Sequence, residues 1–192
     1  MVCPLLPRTS LTPQDWAKAA LDAIAEGGVS AVAVEALAPR VGASKGSFYW
    51  HFDDRAAVLE EALTVWESSL TDAVIEELQR VADPLERLRR LLLLAFGGRI
   101  AGRLATALTT QPATERMAEV LRRVTDRRLA FLTDAFVELG FALPDARTRA
   151  LITYNTYLGF FALAQGHPSA VPPKGRARNR YIETLLEALT HA

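Results

Sequence analysis

The stretch Leu37-Ala38-Pro39-Arg40-Val41-Gly42-Ala43-Ser44-Lys45-Gly46-Ser47-Phe48-Tyr49-Trp50-His51-Phe52 decides the fold. Val34, Leu37, Ala38 and Val41 fall at i, i+3, i+4 and i+7, one face of a two-turn helix. Gly42 ends that helix, and Ser44 is placed to cap the next, with Ala43 and Phe48 as a hydrophobic staple. Helices over 34–41 and 45–50, joined by so tight a turn, have helix-turn-helix proportions. The second helix of such a pair must present side chains to DNA while keeping a few anchors inside. Phe48 and Phe52, at i and i+4, are those anchors. Lys45, Ser47, Tyr49, Trp50 and His51 are left near the exposed side, and Gly46 lets the backbone approach a base edge or phosphate closely.

The flanking residues suit a phosphate clamp. Tyr49 offers a phenolic donor, His51 a ring N–H, and Arg55 a guanidinium fork matched to phosphate oxygens. Arg55 falls in the first turn of the next helix, where the macrodipole favours anions and a cation stands against local preference. A helix N-terminus plus an arginine is a seat for phosphate. A solvated surface arginine, a core tryptophan and a structural histidine are the plainer readings of Arg55, Trp50 and His51 taken singly. Grouped within a few residues, they point to DNA.

Upstream, Thr12-Pro13-Gln14-Asp15 is a helix start, with a hydroxyl cap, proline at the first position and an early acid. Trp16, Ala20, Ala23 and Ile24 make its apolar stripe, and Gly27-Gly28 stops it. Downstream, a long amphipathic helix from Asp53 to about Val81 carries Val58, Leu59, Ala62, Val65, Trp66, Leu70, Ala73, Val74 and Leu78. Asp83-Pro84-Leu85-Glu86 opens another helix, blunted by Gly97-Gly98. Further helices follow over 100–108, from Gln111-Pro112 to Gly140, from Leu143-Pro144-Asp145 to about Gly166, and around Tyr181, Ile182, Leu185, Leu186 and Leu189. The fold class is all-α with about nine helices. No strand-length alternation and no internal repeat is present.

Residues 12–63 resemble the N-terminal domain of the TetR (tetracycline-repressor-like) family of bacterial regulators. The quoted stretch carries the resemblance, above all Tyr49-Trp50-His51-Phe52, followed by Arg55 and Leu59. It implies a three-helix DNA-binding domain over 1–55 and a helical ligand-binding and dimerisation domain over 56–192. By position it makes Lys45, Gly46, Ser47 and Trp50 groove-facing, and Tyr49, His51 and Arg55 backbone-contacting. It further implies a homodimer on double-stranded operator DNA, released by a small-molecule effector, with repression as the default. The long connector would act as a nearly rigid lever. The family pairs through its last two long helices, here bearing Leu151, Tyr154, Leu158 and Phe161, then Tyr181, Leu185 and Leu189. Its pocket lies among the middle helices of the larger lobe. That makes Phe96, Leu108, Met117, Leu121, Tyr154 and Tyr157 the expected lining, with Arg99 or Arg103 near an entrance.

Three departures from the family pattern stand out. Arginine replaces the usual lysine at position 55, so bidentate phosphate binding becomes possible. Ala33-Val34 stands where threonines often open the second helix, which removes a cap. Pro39 lies inside that helix, deletes one backbone bond and predicts a short or distorted element.

Composition frames these readings. The 192 residues are half apolar, with 22 lysines and arginines against 22 acids, so a polycation is excluded while a local nucleic-acid surface is not. Residues 1–55 hold Arg8, Lys18, Arg40, Lys45 and Arg55 against Asp15, Asp22, Glu26, Glu35, Asp53 and Asp54, a net charge of −1. Few phosphate contacts and a shallow salt dependence are expected. The longest apolar run, Leu91 to Phe96, is far below the roughly 20 residues of a membrane span, and Met1-Val2-Cys3-Pro4 does not open a signal peptide. A single cysteine, Cys3, forms no internal disulfide, and a cytoplasmic protein is expected. His51, His167 and His191 are scattered, and no nucleophile elbow, phosphate loop or zinc-protease motif occurs. No catalytic residue, metal or cofactor is expected. An enzyme with a scattered site, or a helical ligand-binding dimer without DNA binding, are the rival readings. The arginine pairs Arg122-Arg123 and Arg127-Arg128, and the run Lys174 to Arg180, read as solvated helix faces.

Overall fold

A computed structural model describes residues 11–110 and 114–191. Within them every regular element is helical: α1 (Pro13–Gly27), α2 (Val34–Arg40), α3 (Lys45–Tyr49), α4 (Arg55–Glu67), α5 (Ala73–Gln79), α6 (Pro84–Gly97), α7 (Arg99–Thr110), α8 (Glu115–Glu138), α9 (Leu143–Gly166) and α10 (Arg176–Thr190). A π turn, Ser68–Asp72, carries α4 into α5, so these two form one rod and the described helices number nine. Cys3 and the helix start expected at Gln111-Pro112 lie outside the described residues. The following helix, α8, is capped by Thr114, whose Oγ1 accepts from the Met117 N–H at 3.2 Å.

Local chemistry sets the ends of the first helices. Thr12 and Asp15 form a reciprocal capping box on α1: the Thr12 N–H donates to Asp15 Oδ2 at 2.9 Å, and Thr12 Oγ1 accepts from the Asp15 N–H at 3.3 Å. The Thr12 N–H, joined by the Thr12 hydroxyl donating to the same oxygen at 2.7 Å, holds the Asp15 carboxyl below its ordinary range. Gly28, at φ 77°, turns the chain out of α1 while its N–H satisfies the Ile24 carbonyl. Trp16, Ala17, Ala20, Ala23 and Ile24 are fully buried, and α1 packs against both α4 and α7. The first helix therefore belongs to the small N-terminal bundle and also touches the larger lobe.

The connector departs from a plain α-helix. Its buried stripe runs Val58, Ala62 and Trp66, then steps five residues to Thr71. That five-residue step matches the wider π turn. Thr71 is turned inward, whereas Ala73, expected on the apolar face, is exposed.

In the larger lobe α8 packs on α9, α7 on α9, and α6 on α10. Phe96, near the end of α6, sits among the rings of Tyr157, Phe160, Phe161 and Tyr181 at 5.1–6.4 Å. Gly102 of α7 lies so close to Phe161 that no side chain fits there. Arg178 corrects the reading of the Lys174 to Arg180 run as solvated. It is buried, lies over the Phe160 ring, and donates to the Phe96 carbonyl at 2.9 Å and to the Pro172 carbonyl at 2.7 Å. One apolar cluster extends from Trp16 to Leu189 through both portions of the chain.

Candidate nucleic-acid interface and ligand cavity

The α2–turn–α3 segment forms as its residue types dictate. Ala33 supplies no side-chain cap, and α2 is short, ending at Arg40 just past Pro39. Gly42 takes φ 68°, a left-handed conformation suited to glycine, and the Ala43 N–H closes the turn on the Ala38 carbonyl at 2.9 Å. Ser44 Oγ accepts from the Ser47 N–H at 3.3 Å and opens α3. Phe48 is buried edge-on against Trp16 at 5.3 Å and beside Phe52 at 5.4 Å, so both anchors face inward.

With the phenylalanines turned in, the outer face of α3 is set. Lys45, Gly46, Tyr49 and Trp50 are exposed, while Ser47 and His51 are half-buried at its edge. Trp50 is 87% exposed and Tyr49 60%. Tyr49 keeps one edge-on contact with Phe48 at 5.3 Å, but Trp50 stands almost wholly in water, where a ring gains little for folding, and that placement favours a partner that covers it.

The cations of this region are tied internally. Lys45 Nζ meets Glu35 Oε1 at 2.7 Å, and Arg40 Nη2 meets Glu26 Oε2 at 2.7 Å. Each contact holds its glutamate below the ordinary range, chiefly through the hydrogen bond. Arg55 differs from the expected bidentate phosphate ligand. Its Nε donates to the Val32 carbonyl and its Nη2 to the Val29 carbonyl, both at 2.6 Å. Two nitrogens of the fork thus bracket the α1–α2 connection, and Arg55 first serves to hold the reading unit on α4.

Behind the π turn lies a cavity of about 270 Å3, walled by Leu70, Thr71, Val74 and Ile75 of the connector, Leu91, Leu92, Leu94, Ala95 and Phe96 of α6, Ala101 of α7, Arg128, Phe131 and Leu132 of α8, and Thr153, Tyr154 and Tyr157 of α9. Of the residues expected to line a pocket, Phe96, Tyr154 and Tyr157 are in the wall of this cavity. Leu108, Met117 and Leu121 are not in that wall: the first two are buried elsewhere in the core and Leu121 packs against it. Arg103 reaches the Glu26 carbonyl of α1 at 3.4 Å rather than an entrance, and the Arg99 side chain lies outside the described atoms. Burial pushes the Tyr157 phenol up to about 12, so it stays protonated and able to donate. Thr153 and Thr156 satisfy their hydroxyls on the Arg149 and Ile152 carbonyls of their own helix.

The arginines of α8 are the residues missed. Arg123 pairs with Glu67 and Arg127 with Asp72, each at 2.8 Å. Arg128 donates to Thr71 Oγ1 at 2.8 Å and to the Leu70 carbonyl at 3.1 Å, and lies 5.2 Å from the Trp66 ring centre. These side chains clamp the connector: Arg122 and Arg127 keep the exposed position read for both pairs, Arg127 while pairing with Asp72, whereas Arg123 and Arg128 are half-buried. No single helix among the described residues is long and apolar enough to cross a membrane.

A family model described as bacterial regulatory proteins, tetR family, matches residues 17–62, the α1–α4 region. The tetracycline repressor protein class A from transposon 1721 of Escherichia coli is 31% identical over 195 residues, covering 96% of this chain and 82% of the repressor. Among solved structures, a transcriptional regulator from Rhodococcus sp. superposes with a TM-score of 0.71 at 27% identity, covering 95% and 100% of the two chains. The regulator FadR from Bacillus subtilis, solved with stearoyl-CoA, shares the fold with a TM-score of 0.69 at 15% identity, covering 93% and 98%. The match to the repressor runs nearly end to end, through the helix-turn-helix and the lobe that holds the cavity, and on that ground the chain belongs to the TetR family of bacterial transcriptional regulators.

Proposed function

We propose that this regulator is a homodimeric repressor that reads a palindromic operator through α3 and leaves it when a small molecule enters the cavity behind the π turn. The observation that carries the reading is the split of α3 into a buried face, Phe48 with Phe52 beside it, and an exposed one, Lys45, Gly46, Tyr49 and Trp50. Lys45 exchanges an exposed carboxylate for a phosphate at little cost, because such ion pairs contribute about 0–1 kcal/mol. Tyr49 and His51 donate to the backbone, Ser47 and Trp50 face the bases, and Arg55 keeps α3 in register. Residues 1–55 form the reading unit and 56–192 the sensing and pairing unit.

Of the α9 stripe that the apolar pattern singled out, pairing keeps Leu151 and otherwise uses its outward neighbours. Tyr154, Phe161 and Leu189 are buried within the protomer. Leu151, Ile152 and Leu163 remain about half exposed, with Asn155, Gly159 and Ala162 between them. On α10, Ala177, Thr184 and Ala188 give an exposed face of small residues. Two such flat faces suit a four-helix bundle between protomers.

Coupling follows from shared walls. The π turn borders the cavity and continues into α4, which packs on α1. A second route leads from α7 through Arg103 to Glu26, which also holds Arg40 of α2. A differential affinity of about 1–3 kcal/mol between two arrangements changes operator binding some 5- to 150-fold. The internal pairing of Arg40, Lys45 and Arg55 favours a second reading, a ligand-binding dimer that does not engage DNA. Selecting fragments from random duplex DNA with the full-length protein separates the two. A pseudo-palindrome with half-sites roughly 34–36 Å apart supports the repressor, and no enrichment even at about 50 mM salt overturns it.

A further inference from the structure

Three arginines on two successive turns of α8 reach the connector, and two of them meet acids there: Arg123 with Glu67 and Arg127 with Asp72. Arg128 is the third. It has no carboxylate partner among the described residues, and its acceptors, the Thr71 hydroxyl and the Leu70 carbonyl, are neutral. It is also the one charged residue in the wall of the 270 Å3 cavity, where the other groups are apolar side chains, hydroxyls and phenols. A cation beside apolar surface calls for a counter-charge. Building on the repressor reading above, we infer that the effector supplies it: the cavity takes a small apolar acid whose carboxylate sits on Arg128.

The rest of the wall agrees with that class. Phe96, Phe131, Tyr154 and Tyr157 offer ring edges and faces for an aromatic or alicyclic body. The Tyr157 hydroxyl supplies a neutral donor beside the same wall. The volume lies near the lower end of the roughly 300–1,000 Å3 of ligand pockets, which suits a compact body better than a long acyl chain. A cationic ligand meets Arg128 as a like charge. The guanidinium's bonds to Thr71 and Leu70 lack an opposite charge, whereas a carboxylate adds one and matches the fork with two parallel bonds, so the acid draws Arg128 away from Thr71 and Leu70. Both belong to the π turn, so the effector acts directly on the connector.

The test is calorimetric titration of the full-length protein with three probes of one shape, 4-ethylbenzoate, 4-ethylbenzamide and 4-ethylbenzylammonium. The benzoate is expected to bind at least about tenfold more tightly than the amide, and the ammonium to give no heat. In Arg128→Gln the benzoate loses about tenfold while the amide changes by less than roughly threefold, and Arg128→Lys keeps the preference for the anion. Equal affinities, preference for the ammonium, no binding of any probe at millimolar concentration, or an unaltered benzoate affinity in Arg128→Gln overturns the assignment. If Arg128→Gln does not fold, the probe series on the unaltered protein and on Arg128→Lys decides. DNA selection is read separately. An enriched operator without benzoate binding removes only the acid, whereas benzoate bound at Arg128 without any enriched DNA removes only the repressor reading.

Discussion

Arg123 holds Glu67 by two hydrogen bonds, Nε to Oε1 at 3.1 Å and Nη2 to Oε2 at 2.8 Å, joining residues 56 positions apart. The contact fastens α8 to the end of α4, immediately before the π turn. Arg123's hydrogen bond, against a smaller opposing effect of burial, holds the Glu67 carboxyl below the ordinary glutamate value of 4.5. A carboxyl lowered on folding contributes stability that is fully present above its unfolded pKa and disappears as pH falls through the folded one. Glu67→Gln should therefore lower stability by about 1 kcal/mol near pH 7 and make little difference near pH 3. Urea midpoints of both proteins across that range check it, and a gap that widens in acid would contradict it.

Gly102→Ala should destabilise the protein by about 1–3 kcal/mol through overpacking. A Cβ there would overlap the Phe161 ring, and Phe161 is wedged among Phe96, Tyr157 and Phe160. The sign is informative, because alanine in place of an unconstrained helical glycine gains about 1 kcal/mol. Phe161→Leu in the same chain should recover part of the loss in a urea melt.

Trp50→Ala and Arg55→Met should separate reading from folding. Trp50 is almost wholly exposed, so its removal should leave the melt within about 0.5 kcal/mol yet weaken operator binding about tenfold or more. Arg55→Met strips donors from the Val29 and Val32 carbonyls and should lower stability by about 1–2 kcal/mol as well as affinity. Equal stability losses in the two variants would show that Trp50 is structural.

Salt dependence should be shallow. Lys45 is the one exposed lysine of α3, Arg55 is bracketed internally, and Tyr49 is uncharged. A slope of log affinity against log salt steeper than about −5, near six phosphates per dimer, would mean that further cations reach the backbone.

Leu163→Glu places a charge on the exposed stripe of α9, where Leu163 is 55% and Leu151 50% exposed. If the proposed pairing holds, the unaltered protein should sediment as a dimer at micromolar concentration and this variant as a folded monomer, with an unchanged far-ultraviolet spectrum. A dimer that persists would move the interface elsewhere.

Local chemistry was legible, and long side chains were not. Thr12 with Asp15, Ser44, and Asp83 ahead of Pro84 cap helices because their partners lie two or three residues away. Phe48 and Phe52 point inward because a short helix allows one buried face. The guanidiniums of Arg55, Arg123, Arg128 and Arg178 each reach an acceptor 23 to 82 residues distant, and nothing local encodes that reach. The cavity was half legible for the same reason: the rings on α9 follow from one helix, whereas Thr71 and Arg128 depend on how three helices meet. On α9, apolar residues occupy every side, so periodicity did not distinguish Tyr154, which is core, from Leu151, which is outside.

The five-residue step between Trp66 and Thr71 makes the rod's angular setting depend on a single surplus position. Each α-helical residue advances the chain by about 100° around the axis but only about 1.5 Å along it. Deleting Ser69 would thus act mainly as a rotation. In a symmetric pair, that twist would swing both recognition elements out of phase with the DNA groove while scarcely altering the molecule's length.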